Sequence, residues 1–426
     1  MTSSAALESL RIEARARDRE DPLARYRDEF VVADESLLYL DGNSLGRLPK
    51  RAEALAARTV REEWGGRLVR GWNEGWVGAS RRLGDKLGRL LGAREGEVLV
   101  SDGTSVNLFK LAVAALKARE GRTAIVTDDL NFPSDLYVLD GAARLLGGGR
   151  RVTVVAARDG IRVPPEDLEA AIGKDTALVS LSHVSYRSGY LHDMEDVTRV
   201  AHAAGALVLW DVSHSAGVVP IDLEGSGADL AVGCTYKYLN GGPGAPAFLY
   251  VRRALQSVLE NPITGWFGRE SPFAFAPGFV PAAGAERFLV GTPPVLSLAA
   301  AEPGIDLAAE AGVEVARAKS VAMARFLEGC WRTRLEPLGV TLRSPRESER
   351  RGSHLSFGHP EALAIDRALV LDMNVIPDFR PPDVIRFGFA PLWNTFEDLF
   401  EGVSRFRRVL DDELWRRHTA DRPLVT

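Results

Sequence analysis

Seven short apolar runs punctuate the stretch from about residue 95 to 252. They are Glu97–Ser101 (EVLVS), Thr123–Thr127 (TAIVT), Arg151–Val155 (RVTVV), Ala177–Leu181 (ALVSL), Ala206–Trp210 (ALVLW), Leu230–Gly233 (LAVG) and Ala247–Val251 (AFLYV). Most are continuous rather than alternating, and a strand that is apolar on both faces is buried on both. Between them, segments such as Val106–Ala118 and Met194–Ala204 repeat apolar residues at helical spacing. Strand, helix, strand in succession predicts an α/β fold, a mostly parallel sheet of seven strands covered by helices. The last two runs are joined by a glycine-rich connection too short for a helical crossover, so an antiparallel strand is expected at one edge.

This α/β unit is expected to occupy residues 46–300. Within it, residues 261–295 are rich in glycine, proline and aromatics and read as a long irregular segment, of the kind that is often functional. Residues 301–426 change character and read as a smaller α+β domain. It starts with a long helix near Gly312–Leu335, followed by strands near Val340–Leu342, His354–Phe357 and Val384–Phe389 and a helix over Thr395–Trp415. Residues 1–45 are expected to pack with that domain, although the charged, helix-prone first 20 match nothing assignable. At 426 residues the chain suffices for two domains, and 46% hydrophobic with 26% charged content fits a soluble globular protein. A net charge of -5 argues against a dedicated nucleic-acid binder. No apolar stretch is long enough to span a membrane, and the N-terminus lacks the apolar core of a secretory signal. Cys234 and Cys330 are the two cysteines, with no zinc spacing, so no metal and no disulfide framework are expected. These features together predict a cytoplasmic protein.

In an open α/β sheet, ligands bind beyond the carboxyl ends of the strands. The residues just past each strand are therefore informative. EVLVS leads into Asp102-Gly103-Thr104-Ser105, small residues at a helix start, which make either an anion cradle or a simple helix cap. TAIVT leads to Phe132 and Asp135, and Phe132 is either a flat platform or a buried residue beside a proline turn. ALVSL leads to Ser182 and His183. ALVLW ends on Asp211, with His214 three residues on; a buried acid there needs a cation, a ring nitrogen or a helix end as partner. LAVG leads to GCTYKYLNGGPG, which sets Lys237 between Tyr236 and Tyr238. Lysine is rare here, seven among 53 basic residues. An amine just past a strand end is a candidate nucleophile, a role closed to arginine, although a snorkelling lysine would look the same. Cradle, platform, acid and amine together match the four handles of pyridoxal 5′-phosphate (PLP).

The chain resembles the kynureninase family, hydrolases of PLP fold type I in the class V aminotransferase-like superfamily. The matching stretches are YLDGNSLGRLP (Tyr39–Pro49), WNEGW (Trp72–Trp76), SDGTSVNLFK (Ser101–Lys110), LNFPSDLY (Leu130–Tyr137), SHVSYRSG (Ser182–Gly189), WDVSHSAGVVP (Trp210–Pro220), TYKYLNGGPGAPAFLYV (Thr235–Val251), GWFG (Gly265–Gly268), FLVGTPP (Phe288–Pro294) and PDVIRFGFAPL (Pro382–Leu392). The resemblance implies hydrolysis of L-kynurenine to anthranilate and L-alanine, in tryptophan degradation and towards NAD biosynthesis. It implies that Lys237 anchors PLP and removes the substrate α-proton, while Asp211 pairs with the ring nitrogen. Phe132 then stacks on the ring with Asp135 beside it. Thr104, Ser105 and Tyr236 hold the phosphate, and Ser182 and His214 line the pocket. Tyr236 also shuttles a proton near the cleavage step. Arg386 grips the substrate α-carboxylate. Trp266 and Thr292 reach the cofactor from the second subunit of a homodimer with shared sites. Thr292 follows a glycine, which inclines the pocket toward unsubstituted kynurenine over its 3-hydroxy form.

Three other readings stand beside this one. A class V aminotransferase would fit the Asp211-to-Lys237 part equally and would need a second, amino-acceptor half-reaction. A cysteine desulfurase would need a reactive thiol on a mobile loop, whereas Cys330 falls in an amphipathic helix and Cys234 before the lysine turn. A non-catalytic scaffold would be expected to lack Lys237 or Asp211, and both are present.

Overall fold

The structure, a computed structural model, describes residues 4–420. Residues 1–3 of the expected N-terminal segment and 421–426 of the C-terminal one lie outside the described residues. The chain enters through a helix, Ser4–Arg19, and a two-residue strand, β1 (Leu38–Tyr39). Each of the seven apolar runs then becomes a strand: β2 (Val98–Val100), β3 (Ala124–Asp128), β4 (Arg151–Val155), β5 (Thr176–Ser182), β6 (Leu207–Asp211), β7 (Leu230–Gly233) and β8 (Phe248–Val251). They form one sheet in the order β2-β8-β7-β6-β5-β3-β4.

The unbroken apolar runs have a direct structural cause. Val208 and Trp210 of β6 enter the core on one face of the sheet, and Leu207 and Leu209 enter the core on the other. Successive side chains point to opposite faces, so a strand covered on both must be apolar throughout. β4 forms an outer edge and is the exception, half-exposed with Arg151 and Thr153 among its valines. β8 runs against its neighbours, but the expected edge position is corrected: it lies between β2 and β7, and β2 forms the edge. The short return from β7 lays β8 alongside it, and β2 then closes the free side of β8.

Helix Val295–Ala311 runs through position 300 and packs Leu298, Ile305 and Ala308 into the large-sheet core. At Gly312, with φ of 80°, the chain turns into helix Val313–Arg334, whose Met323, Leu327 and Cys330 belong to a second core. Five further strands complete the chain: β9 (Thr341–Leu342), β10 (His354–Gly358), β11 (Val375–Ile376), β12 (Asp378–Arg380) and β13 (Val384–Gly388). Four of them form an antiparallel sheet in the order β12-β13-β10-β9, while β11 pairs in parallel with β1. Leu355, Phe357, Ile385 and Phe387 face the second core together with Phe406. The two-residue period of strands puts His354, Ser356, Arg386 and Gly388 on the opposite face.

Helix Ala362–Met373, which the sequence did not reveal, backs this sheet. The last helix starts where expected, because Thr395 and Asp398 form a reciprocal capping box. It ends at Asp411, short of the expected Trp415, because Glu413 adopts a left-handed φ of 50° that a helix cannot continue through. The N-terminal helix docks on this end of the molecule: Ala14 is buried in the second core, and Asp18 accepts from the backbone N–H groups of Phe396 at 2.8 Å and Glu397 at 2.9 Å.

Candidate active site

The lysine turn hangs between β7 and β8. Thr235 donates its hydroxyl to the Pro246 carbonyl at 2.6 Å, and Gly241 N–H donates back to the Thr235 carbonyl at 2.9 Å, closing the loop. Two glycines from elsewhere clamp it. A Cβ on Gly46 would stand 2.4 Å from the Lys237 carbonyl oxygen, and one on Gly304 would stand 1.9 Å from that of Leu239. Neither position can carry a side chain, so DGNSLG and helix Val295–Ala311 together fix the turn. Lys237 Nζ then lies 2.8 Å from His214 Nε2 and 5.9 Å from the centroid of the Phe132 ring.

Rarity alone does not single out Lys237. Lys110 is fully buried, with Nζ on Asp102 at 2.7 Å and on the Phe288 carbonyl at 2.8 Å. Lys319 is buried on Asp21 at 2.8 Å and on the carbonyls of Pro391 and Asn394. Both are structural ammonium groups ringed by oxygen. Lys237 differs in that its hydrogen bond, among the described residues, goes to an imidazole nitrogen.

Beyond the lysine lie two buried carboxyl groups. Asp211, at the tip of β6, accepts from Ser213 N–H at 2.7 Å. Asp135 reaches the same place from the first turn of helix Pro133–Leu146. Burial first, and then the charge on Asp211, push the Asp135 carboxyl well above the usual range, so it stays protonated. Burial, followed by the Lys237 charge, holds His214 far below an ordinary histidine, so its ring is neutral. Its Nδ1 is buried without a partner.

Phe132 caps the same helix and leaves its ring 40% exposed, edge-on to Tyr186 at 5.2 Å. Its backbone N–H is held by Asn131 Oδ1 at 2.9 Å, and Ser182 donates to that same oxygen at 2.6 Å. Ser182 thus reaches the site floor, but its donor serves Asn131, a residue the sequence did not single out.

At the other end, helix Thr104–Ala118 begins after Gly103 with no side-chain cap on its first turn, and a Cβ on Gly103 would meet open space. Ser105 and Ser134 hydroxyls stand 2.8 Å apart there. Uncapped N–H groups with adjacent hydroxyls suit an anion. The Tyr236 hydroxyl is held above the usual tyrosine range by Cys234 and by burial, so it remains a donor.

Arg386 is fully buried on β13. Its guanidinium pairs with Asp378 and the Tyr186 carbonyl, and donates to Ser44 Oγ at 3.2 Å. With its amide oxygen turned toward the guanidinium, Asn43 accepts at 3.0 and 3.3 Å. Arg380 also pairs with Asp378, at 2.8 Å. Asp41 completes the cluster; burial, then the Asp378 charge, push its carboxyl well above the usual range. The DGNS motif carries Asp41, Asn43 and Ser44, but nothing in its sequence reveals this use. His354, also missed, is buried on the same sheet face with its ring centroid 5.9 Å from that of His214.

Trp266 and Thr292 do not join this assembly within one chain. Among the described residues, no hydrogen bond or ring contact links either to Lys237, Phe132 or Arg386. Both are at the surface of the 261–295 segment, where Trp266 is 37% exposed and packs on Phe267, Phe273 and Phe275. Both cysteines are free and buried, and burial pushes the Cys330 thiol up to about 12, the opposite of an activated nucleophile. Among the described residues, no three His, Cys, Asp or Glu side chains are grouped to hold a metal ion, and no helix is long and apolar enough to cross a membrane.

The fold is shared with solved PLP-enzyme structures. A cysteine desulfurase from Thermococcus onnurineus NA1 superposes with a TM-score of 0.79 at 20% identity, covering 91% of this chain and 98% of that one. C-DES, solved with glycine covalently linked to its PLP cofactor, gives 0.76 at 19% identity, covering 89% of this chain and 98% of that one. In sequence, the model of the kynureninase C-terminal domain matches residues 316–406. Kynureninase from Pseudomonas fluorescens is 45% identical over 94% of this chain and 95% of its own length. Kynureninase from Burkholderia pseudomallei is 44% identical over 95% of this chain and 97% of its own. Identity of that extent, over a chain whose strand tips carry this set of side chains, means that the chain belongs to the kynureninase family.

Proposed function

We propose that this chain is a PLP-dependent hydrolase that splits L-kynurenine into anthranilate and L-alanine. Family membership supports the reading, and one feature of the molecule carries it: an amine held on a neutral imidazole, beside an aromatic face, with a buried acid pair beyond it. The groups present fit the cofactor. An uncapped helix start with hydroxyls suits the phosphate, and Phe132 offers an exposed ring face. Asp211 suits a ring nitrogen, and Lys237 suits the aldehyde. When bound, PLP supplies an electron sink for the pair released at the substrate α-carbon.

The protein's own residues do the rest. Lys237 anchors the cofactor and takes the α-proton. His214, neutral and hydrogen-bonded to that amine, orients it. Asp211 holds the ring nitrogen, with the protonated Asp135 beside it. Thr104, Ser105 and Tyr236 hold the phosphate, and Ser182 lines the floor through Asn131. Tyr236, kept protonated, is a proton donor near the carbon–carbon cleavage. Arg386 takes the substrate α-carboxylate, which has to displace part of its present set of partners.

Trp266 and Thr292 complete the site from a second subunit. This homodimer is supported by the exposed aromatic surface of the 261–295 segment, on which Phe275 is 76% exposed. Unsubstituted kynurenine is favoured over the 3-hydroxy form, on the Gly291–Thr292 pair. A cytoplasmic place in tryptophan breakdown, leading on to NAD biosynthesis, belongs to the same reading. So does a division into a large α/β domain and a small α+β domain on which the N-terminal segment rides.

The test is incubation of the holoenzyme with L-kynurenine. Fluorescent anthranilate should appear together with an equal amount of alanine. An α-keto acid in place of alanine would move the assignment to an aminotransferase.

A further inference from the structure

His354 is fully buried on β10, and neither ring nitrogen has a hydrogen-bond partner. Burial first, and then the Arg386 charge, hold it well below the usual histidine range, so the ring is neutral. A neutral imidazole carries one N–H and one lone pair, and leaving a buried donor unpaired costs free energy. Beside a binding site, such a group is free to meet a ligand.

Its position says what arrives. In the β10–β13 ladder, Ser356 stands opposite Arg386 and His354 opposite Gly388, so His354 is the diagonal neighbour of Arg386 on one sheet face. Its ring centroid is also 5.9 Å from that of His214, whose Nε2 meets Lys237 Nζ at 2.8 Å and whose Nδ1 is also unpartnered. His354 is thus a neighbour of both the amine end and the guanidinium end of the site. In an α-amino acid one carbon separates amine from carboxylate. A substrate reaching from Lys237 to Arg386 thus carries its carboxylate past this ring.

Charge and donor supply agree. Arg386 and Arg380 bring two positive charges, Asp378 one negative, and Asp41 is protonated, which leaves one positive charge to match one carboxylate. The terminal nitrogens of Arg386 are already engaged by Asp378, the Tyr186 carbonyl, Ser44 and Asn43. A carboxylate with two oxygens to satisfy needs a further donor there.

We propose that His354 is a substrate-binding residue whose ring N–H donates to the α-carboxylate of the bound amino acid, beside Arg386. The inference rests on reading the site as one for an α-amino acid. The experiment compares L-alanine with L-alaninamide, which keeps the amine and loses the carboxylate. Binding to the holoenzyme is measured by calorimetry for wild type, His354→Phe and His354→Gln. Loss of the donor should weaken L-alanine by about tenfold or more in His354→Phe. Glutamine, a neutral donor, should recover most of that loss, and L-alaninamide should respond to neither change. Equal losses for both compounds, no loss for either, or no rescue by glutamine would overturn the proposal.

A wild-type measurement guards against a variant that does not fold. In ¹⁵N-histidine NMR, L-alanine should move the His354 N–H resonance downfield, and an unmoved resonance would overturn the proposal equally. Anthranilate release is scored separately, so a protein that binds L-alanine through His354 without cleaving kynurenine fails the functional reading and not this one.

Discussion

The two ends of the site are built from the same electrostatic unit and differ in one component. Each sets two carboxyl groups beside positive charge, Asp135 and Asp211 near Lys237, and Asp41 and Asp378 near Arg386 and Arg380. In each, burial and the neighbouring charge keep one acid protonated. The cation decides what the unit does. A lysine can release its proton and attack a carbonyl, so the large-sheet end suits covalent chemistry. A guanidinium keeps its proton and offers a planar fork, so the small-sheet end suits holding a charge. Lys237 is also bonded to a neutral ring, whereas Arg386 is tied into an ion pair.

The sharpest way to break this contrast is to exchange the cations. Lys237→Arg keeps the charge but removes the amine, and anthranilate release should fall by roughly 10³-fold or more. Asp211→Asn should come next, lowering kcat by about 10²-fold with the protein still folded, as a buried charge partner is lost. Arg386→Lys should act mainly on KM, raising it about 10- to 100-fold while kcat falls less, because a point charge replaces a fork. An equal fall in kcat would place Arg386 in the chemistry and erase the distinction.

The smallest effects test the protonated acids. Asp41→Asn should change kcat/KM at neutral pH by no more than about threefold, since an amide replaces a carboxyl that is already neutral. Asp366 is the control, a buried acid of the second core with no hydrogen-bond partner on either oxygen and a pKa raised to about 8. Its folded-state pKa lies above the unfolded one, so its contribution to stability is complete below about 4 and is lost as pH rises through about 8. Thermal unfolding should therefore show Asp366→Asn gaining about 2–4 °C in Tm over wild type at pH 8.5, and less at pH 6.

Much of the large-sheet end was legible in the sequence because burial on both faces writes continuous apolar runs. Asp211 and Lys237 sit just past two of those runs, where open sheets bind ligands. The place of β8 inside the sheet was not legible, because strand order depends on pairing across 150 residues, between Val98 and Tyr250. Lysine rarity was a weaker signal than it looked, since Lys110 and Lys319 are buried for structural reasons.

The small-sheet end was mostly hidden. Helix ALAIDRALVLDM is apolar on most sides and gives no clean stripe. Asp41 and Asp378 meet across more than 300 positions, with no local pattern to announce them. His354 lies in RGSHLSF, an ordinary strand pattern, and its meaning appears only when both nitrogens are found unpartnered.

Of Lys110, Lys237 and Lys319, it is Lys237 that we propose carries the cofactor. Borohydride reduction of the holoenzyme, with peptide mass spectrometry of the product, tests it directly. The PLP adduct should fall on Lys237. An adduct on Lys110 or Lys319 instead, or on no lysine, would contradict the account.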